Sequence, residues 1–317
     1  MATQWLRRAF LLAACASGLL LAACGGGSVD SQFTPTRVVA FGDAFADLGQ
    51  NGARYTVNDG TVNNWTEFVA SVFGRTLTAS SRGGLSYATG NARITAKPDA
   101  AGNSTTRTVK EQVDAFLATG APVAGDLFIF GGGTADVITQ AQAVIAGSQT
   151  EAQALDAVTQ AGRDYGAQVR RLVDAGATHV MVVGTYNLGR SPWAVELKRE
   201  SLLQNVSGRF NDQLLVSIVD LGAKVLYVDA ALYFNLVTAA PGGYDIQNAN
   251  NPVCTSVDPG PGIGTGTNQV NSNLCTPATV LPGANPFRYL FADRVYPTPR
   301  GHQLFGDYAL SRLRERW

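Results

Sequence analysis

Cleaving an acyl bond takes a hydroxyl or thiol nucleophile, a base beside it, a carboxylate to orient that base, and donors for the oxyanion. Bases are scarce in this chain of 317 residues, whose histidines are His179 and His302. Carboxylates occupy better-defined places. Asp43 and Asp47 follow the apolar run Val38-Val39-Ala40-Phe41, Asp136 follows the triple glycine Gly131-Gly132-Gly133, and Asp293 stands just ahead of Tyr296-Pro297-Thr298. Among them, Ala44 and Ala135 carry methyl groups, which can neither attack a carbonyl nor donate a hydrogen bond.

The segment Gly42-Asp43-Ala44-Phe45-Ala46-Asp47 resembles the first motif block of the GDSL (SGNH) hydrolases, in which the residue after Gly-Asp is the serine nucleophile. Ser86-Tyr87-Ala88-Thr89-Gly90-Asn91 resembles the second block and gives Gly90 the part of a backbone oxyanion donor, alongside the N–H of Ala44. Gly133-Thr134-Ala135-Asp136 resembles the third block, with Ala135 where the family has its asparagine donor. The last block, Asp-x-x-His, is matched by Asp293-Arg294-Val295-Tyr296, which makes Asp293 the orienting carboxylate and puts Tyr296 in place of the base; Gly301-His302 follows as in the family. Trp65-Thr66-Glu67-Phe68 resembles the family's helix after the first loop. The resemblance covers most of the chain after residue 36 and implies an esterase scaffold without a cofactor.

Chemistry on that scaffold is another matter. A phenol with a pKa near 10 stays protonated at neutral pH and is a poor base. Loss of the nucleophile or the base typically removes about a million-fold in rate, and loss of one oxyanion donor about a hundred- to a thousand-fold. The expectation is a non-catalytic family member that keeps the frame and a cleft for an acyl, lipid-like or acetylated-glycan ligand. Two alternatives stand beside it. One is an ester hydrolase with a relocated nucleophile, although the spacing of Ser80, Ser81 and Ser86 near the second block places none of them over the oxyanion donors; the other is a cell-envelope interaction module working through segment 248–285. His179 reads as packed at a strand end, His302 as helix-face packing or capping, Asp43 and Asp47 as turn caps, and Asp136 as a structural acceptor.

Positioning these residues requires a particular order of elements. Strands are predicted over 37–41, 126–130, 179–183 and 224–229, and helices over 108–119, 151–175, 196–221 and 298–314. Gly176 and Gly222 stop two of the helices, and Pro297 and Pro299 open the last. Alternating strands and helices of this length imply a three-layer, doubly wound parallel α/β domain, flavodoxin-like and single, over 37–317. The turns after the first three strands then converge on one rim, where such sheets bind ligands.

The chain's start reads differently. Arg7 and Arg8 precede an apolar stretch too short for a stable span, so 1–23 reads as a signal peptide. Leu21-Ala22-Ala23-Cys24 resembles a bacterial lipobox, which implies a lipid on Cys24, a Gly/Ser-rich flexible tether over 24–36 and, with Gly25 next, the outer membrane. Cys254 and Cys275 remain, and in an oxidising periplasm they pair most simply with each other; two free buried thiols are the alternative. So few His and Cys argue against a metal site. Lys+Arg and Asp+Glu are both 24, so no basic surplus points to nucleic acid. The partners expected are a membrane, through the lipid, and an acyl or glycan ligand.

Overall fold

Strands buried on both faces read as continuous apolar runs and need a helical layer on each side. The structure, a computed structural model, describes residues 32–61 and 64–317. The predicted leader, Cys24 and the tether up to residue 31 lie outside the described residues. β1 (Arg37–Gly42), β2 (Asp126–Gly131), β3 (Val180–Val183) and β4 (Val225–Val228) form one parallel sheet in that order. Val39 lies opposite Phe128, Phe130 opposite Val182, and Val182 opposite Tyr227. Beside β1, the Ala40 N–H donates to Leu85 O at 3.0 Å and the Tyr87 N–H to Ala40 O at 2.7 Å, so 85–89 runs along the edge. The chain thus winds outward from β1 and returns to β2 on its other side, which makes the gap beyond β1 and β2 the switch point.

Among the described residues, eight α-helices follow from local signals and cover the two faces: α1 (Trp65–Val72), α2 (Val109–Leu117), α3 (Thr134–Ile145), α4 (Glu151–Asp174), α5 (Pro192–Leu197), α6 (Glu200–Ile218), α7 (Ala230–Ala239) and α8 (Pro299–Arg316). Thr108 with Glu111 and Thr150 with Gln153 form capping boxes that start α2 and α4. Thr298 caps α8, with Pro299 in its first turn. Helices α2, α3, α4 and α6 pack together on one side, and α1 and α7 pack against α8 on the other. Gly162 of α4 faces the backbone of α6, where a Cβ would come within 2.6 Å of Phe210 O, so the two long helices meet almost backbone to backbone.

Two expectations change. The helix predicted over 196–221 is two helices, because Ser191 caps an earlier start at Pro192 and Lys198 takes a left-handed φ of 54° before Glu200 begins again. The second α-helix ends at Ile218, and a 3-10 stretch, Val219–Lys224, carries the chain past Gly222. The excursion at 248–285 is more ordered than a loop. β5 (Asn248–Pro252) pairs in parallel with β8 (Tyr289–Phe291), and β6 (Val257–Asp258) pairs antiparallel with β7 (Gln269–Val270). The expected disulfide joins Cys254 to Cys275 and sits in its own small apolar cluster with Val57, Val253 and Ala292.

Candidate functional site

The rim at the carboxyl ends of β1 and β2 is built around buried carboxylates. Gln112 of α2 clamps the end of β1, accepting from the Gly42 N–H at 2.8 Å and donating to Gly42 O at 2.9 Å. Asp43 then accepts from the Phe45 N–H at 3.0 Å and from the Ala135 N–H at 3.2 Å, tying the turn after β1 to the start of α3. Burial pushes its carboxyl up to about 7 despite those donors. Asp136 accepts from the Ile94 N–H at 2.9 Å and pairs with Arg93, so it holds the second block against the third.

Asp47 accepts from the N–H groups of Gly49 and Gln50, and its other oxygen takes the Gly90 N–H at 2.8 Å. The Gly90 N–H, expected to serve an oxyanion, is turned inward onto this carboxylate. The Ala44 N–H makes no hydrogen bond to a described residue. The Gly90 Cα is covered by the Tyr55 ring, since a Cβ there would lie 2.2 Å from the Tyr55 hydroxyl. That ring meets Tyr296 edge-on, with centroids 5.5 Å apart.

Ala44, Ala135, Asp293 and Tyr296 are all buried. The Tyr296 hydroxyl has no hydrogen-bond partner among the described residues, and burial raises its pKa well above that of a free phenol. Asp293 meets backbone and a serine. It accepts from the N–H groups of Val295 (2.8 Å), Tyr296 (2.6 Å) and Ser272 (3.0 Å), and from the Ser272 hydroxyl. Burial raises the Asp293 pKa, with the Ser272 bond acting the other way.

Both histidines are stacked on phenylalanine rings. His302 is buried in α8, stacked on Phe45 at 5.4 Å, and its Nδ1 accepts from the Trp65 N–H at 3.4 Å. Burial lowers its pKa to about 3, so the ring is neutral. His179 lies at the opposite end of the sheet, stacked on Phe33 at 3.7 Å. Ser80 accepts from the Gln50 side chain at 2.6 Å and Ser81 donates to Gln50 O at 2.8 Å, while the Ser86 hydroxyl is buried without a partner among the described residues. None of the three hydroxyls is hydrogen-bonded to a described imidazole. No group of three or more His, Cys, Asp or Glu among the described residues could hold a metal ion.

A profile of the GDSL-like lipase/acylhydrolase family matches residues 38–309, which takes in all four motif blocks. The chain belongs to that family. It is 29% identical to Lipase 1 of Photorhabdus luminescens over 90% of this chain and 51% of that protein. A Pseudomonas putida protein described as uncharacterized, from the trpE-trpG intergenic region, is 30% identical over 50% of this chain and 25% of its own length. A GDSL esterase/lipase of Arabidopsis thaliana is 27% identical over 47% of this chain and 39% of its own. The chain therefore spans between a quarter and about half of these curated relatives. Tyr55 is the residue at the GDSL-family site that sequence reasoning missed. It comes from the long connection between β1 and α1, where no periodicity marks which side chain turns inward.

Proposed function

We propose that this GDSL-family protein no longer hydrolyses esters and acts by binding, held at the bacterial envelope by a lipid on Cys24. The observation that carries the reading is the contents of the rim: Ala44, Ala135 and Tyr296 occupy the positions that match the family's reactive residues, and the Tyr55 ring covers Gly90 with Tyr296 packed edge-on behind it. Two relatives are named as lipases or esterases, which for this chain supports the scaffold. A retained cleft, on this reading, lies beside the family site, where a groove reaches Thr89, the neighbour of Gly90, and is lined by none of Ala44, Ala135 and Tyr296.

The test is a fluorophosphonate probe together with stopped-flow release of p-nitrophenol from its acetate and butyrate esters. The expected result is no labelled serine, no burst, and steady release equal to a blank. A labelled serine mapped by mass spectrometry would establish the relocated nucleophile instead. The interaction-module reading has one observation in its favour: Val257, Leu274 and Phe287 are exposed on or beside the disulfide-tied lobe. Serine at those three positions should then abolish envelope complexes trapped by cross-linking while leaving the melting temperature unchanged.

A further inference from the structure

Beside the filled site lies a groove of about 390 Å³, which meets the second motif block at Thr89, the neighbour of Gly90. Its lining is chemically one-sided. Gln50, Asn51, Ser80, Asn103 and Arg107 supply amides, a hydroxyl and a guanidinium, and no carboxylate or aromatic ring of the described residues lines it. Both walls are fixed before any ligand arrives. Gln50 bridges to the Ser80 hydroxyl at 2.6 Å and to the Ser81 N–H at 3.2 Å. Opposite, Asp99 is turned inward and accepts from the N–H groups of Ala101 (2.9 Å) and Asn103 (2.8 Å) and from the Thr106 hydroxyl (2.6 Å), which shapes the loop ahead of Arg107.

Two features select a ligand. Arg107 is exposed and has no acidic partner among the described residues, so its planar fork is open to a carboxylate or phosphate. Amides and hydroxyls on rigid walls match the alternating donors and acceptors of sugar hydroxyls, and a preformed wall loses little entropy on binding. An apolar acyl chain finds nothing here to cover it. We propose that this groove binds an acidic glycan, a hydroxyl-rich chain carrying carboxylate or phosphate groups. The proposal rests on the reading that the protein binds rather than cleaves. It moves the ligand from the filled family site to the groove beside it.

The experiment is calorimetry on the full chain in detergent, with tri-galacturonate, the neutral galactose trisaccharide and glucose 6-phosphate as probes. At least one acidic probe should bind about tenfold or more tightly than the neutral sugar, and raising the salt should weaken it severalfold. Preference for the uronate or for the phosphate tells which acid the groove takes. Arg107→Ala should remove the preference, Arg107→Lys restore part of it, and Arg312→Ala, beside the amino end of β4 and away from the groove, change nothing. Arg107 is exposed, so its variants keep the fold. Equal affinity for acidic and neutral sugars, no binding at all, or a preference that survives Arg107→Ala would overturn the proposal. A parallel assay for acetate release from acetylated tri-galacturonate separates the two claims, since release would end the non-hydrolytic reading and leave the groove standing.

Discussion

A buried carboxylate without a charged partner must collect neutral donors, and Asp293 collects four, from Ser272, Val295 and Tyr296. Asp43 and Asp47 do the same across motif blocks, so carboxylates at the family's rim now hold loops together. His302 is the complementary case, an imidazole kept neutral by burial, with the charge of Arg54 acting the same way. Its folded pKa of about 3 lies below the ordinary 6.5, so the unfolded chain binds the proton more readily between those values. Stability from this group is therefore complete above pH 6.5 and is lost as pH falls toward 3. Asp43 and Asp47 act in the opposite sense: their folded values of about 7 and about 6 lie above the ordinary 3.8, so stability falls as pH rises from 4 through that range. His302→Gln isolates the imidazole. The stability difference between wild type and variant should grow by up to about 1.4 kcal/mol per pH unit from pH 4 to 6.5 and then level off. Urea unfolding at four pH values measures it, and a flat difference would mean that the ring titrates normally in the fold.

At the scale of elements, the close approach of α4 and α6 makes a paired prediction. Gly162 has the α6 backbone where its Cβ would go, whereas Gly208, within α6, has nothing within 4 Å of that point. Gly162→Ala should cost about 1–3 kcal/mol by overpacking, and Gly208→Ala should stabilise by about 0.5–1 kcal/mol by stiffening the unfolded chain. Thermal melts of the two variants should move in opposite directions. Elements with strong local signals were legible without coordinates: the apolar strand over 37–41, the long helix over 151–175 with its stop at Gly176, and the last helix opened by Pro297 and Pro299 all speak within a few residues of chain. What escaped was set by tertiary context. Asn248–Pro252 has almost no strand propensity and pairs because β8 and the disulfide hold it there. The break at Lys198 depends on one residue accepting a left-handed φ. In the site, Ala44, Ala135 and Tyr296 could be read at the motif positions, but the inward turn of the Gly90 N–H and the Tyr55 ring over it are contacts between distant segments.

Over the whole molecule, parallel strands put every carboxyl end at one pole and every amino end at the other, so where the chain enters decides which pole faces an anchor. The Phe33 N–H donates to Trp317 O at 3.2 Å, and the Phe33 ring stacks on His179 just ahead of β3. The chain therefore comes in at the pole opposite the rim. Gln32 is eight residues beyond Cys24, a contour of no more than about 30 Å. A lipid on Cys24 would hold that pole near the bilayer and turn the rim and its acidic-glycan groove outward. Val219, 72% exposed at the end of α6, marks the near pole, and Thr105, lining the groove, marks the far one. With fluorophores on Val219→Cys and Thr105→Cys in protein reconstituted into vesicles, energy transfer to a headgroup dye should be clearly stronger from 219. Palmitate incorporation, and its loss in Cys24→Ala with release of the protein into the soluble fraction, checks the anchor separately. Incorporation with equal transfer from both positions would keep the lipid and refute the orientation, because an anchored domain free to lie on its side has no near pole.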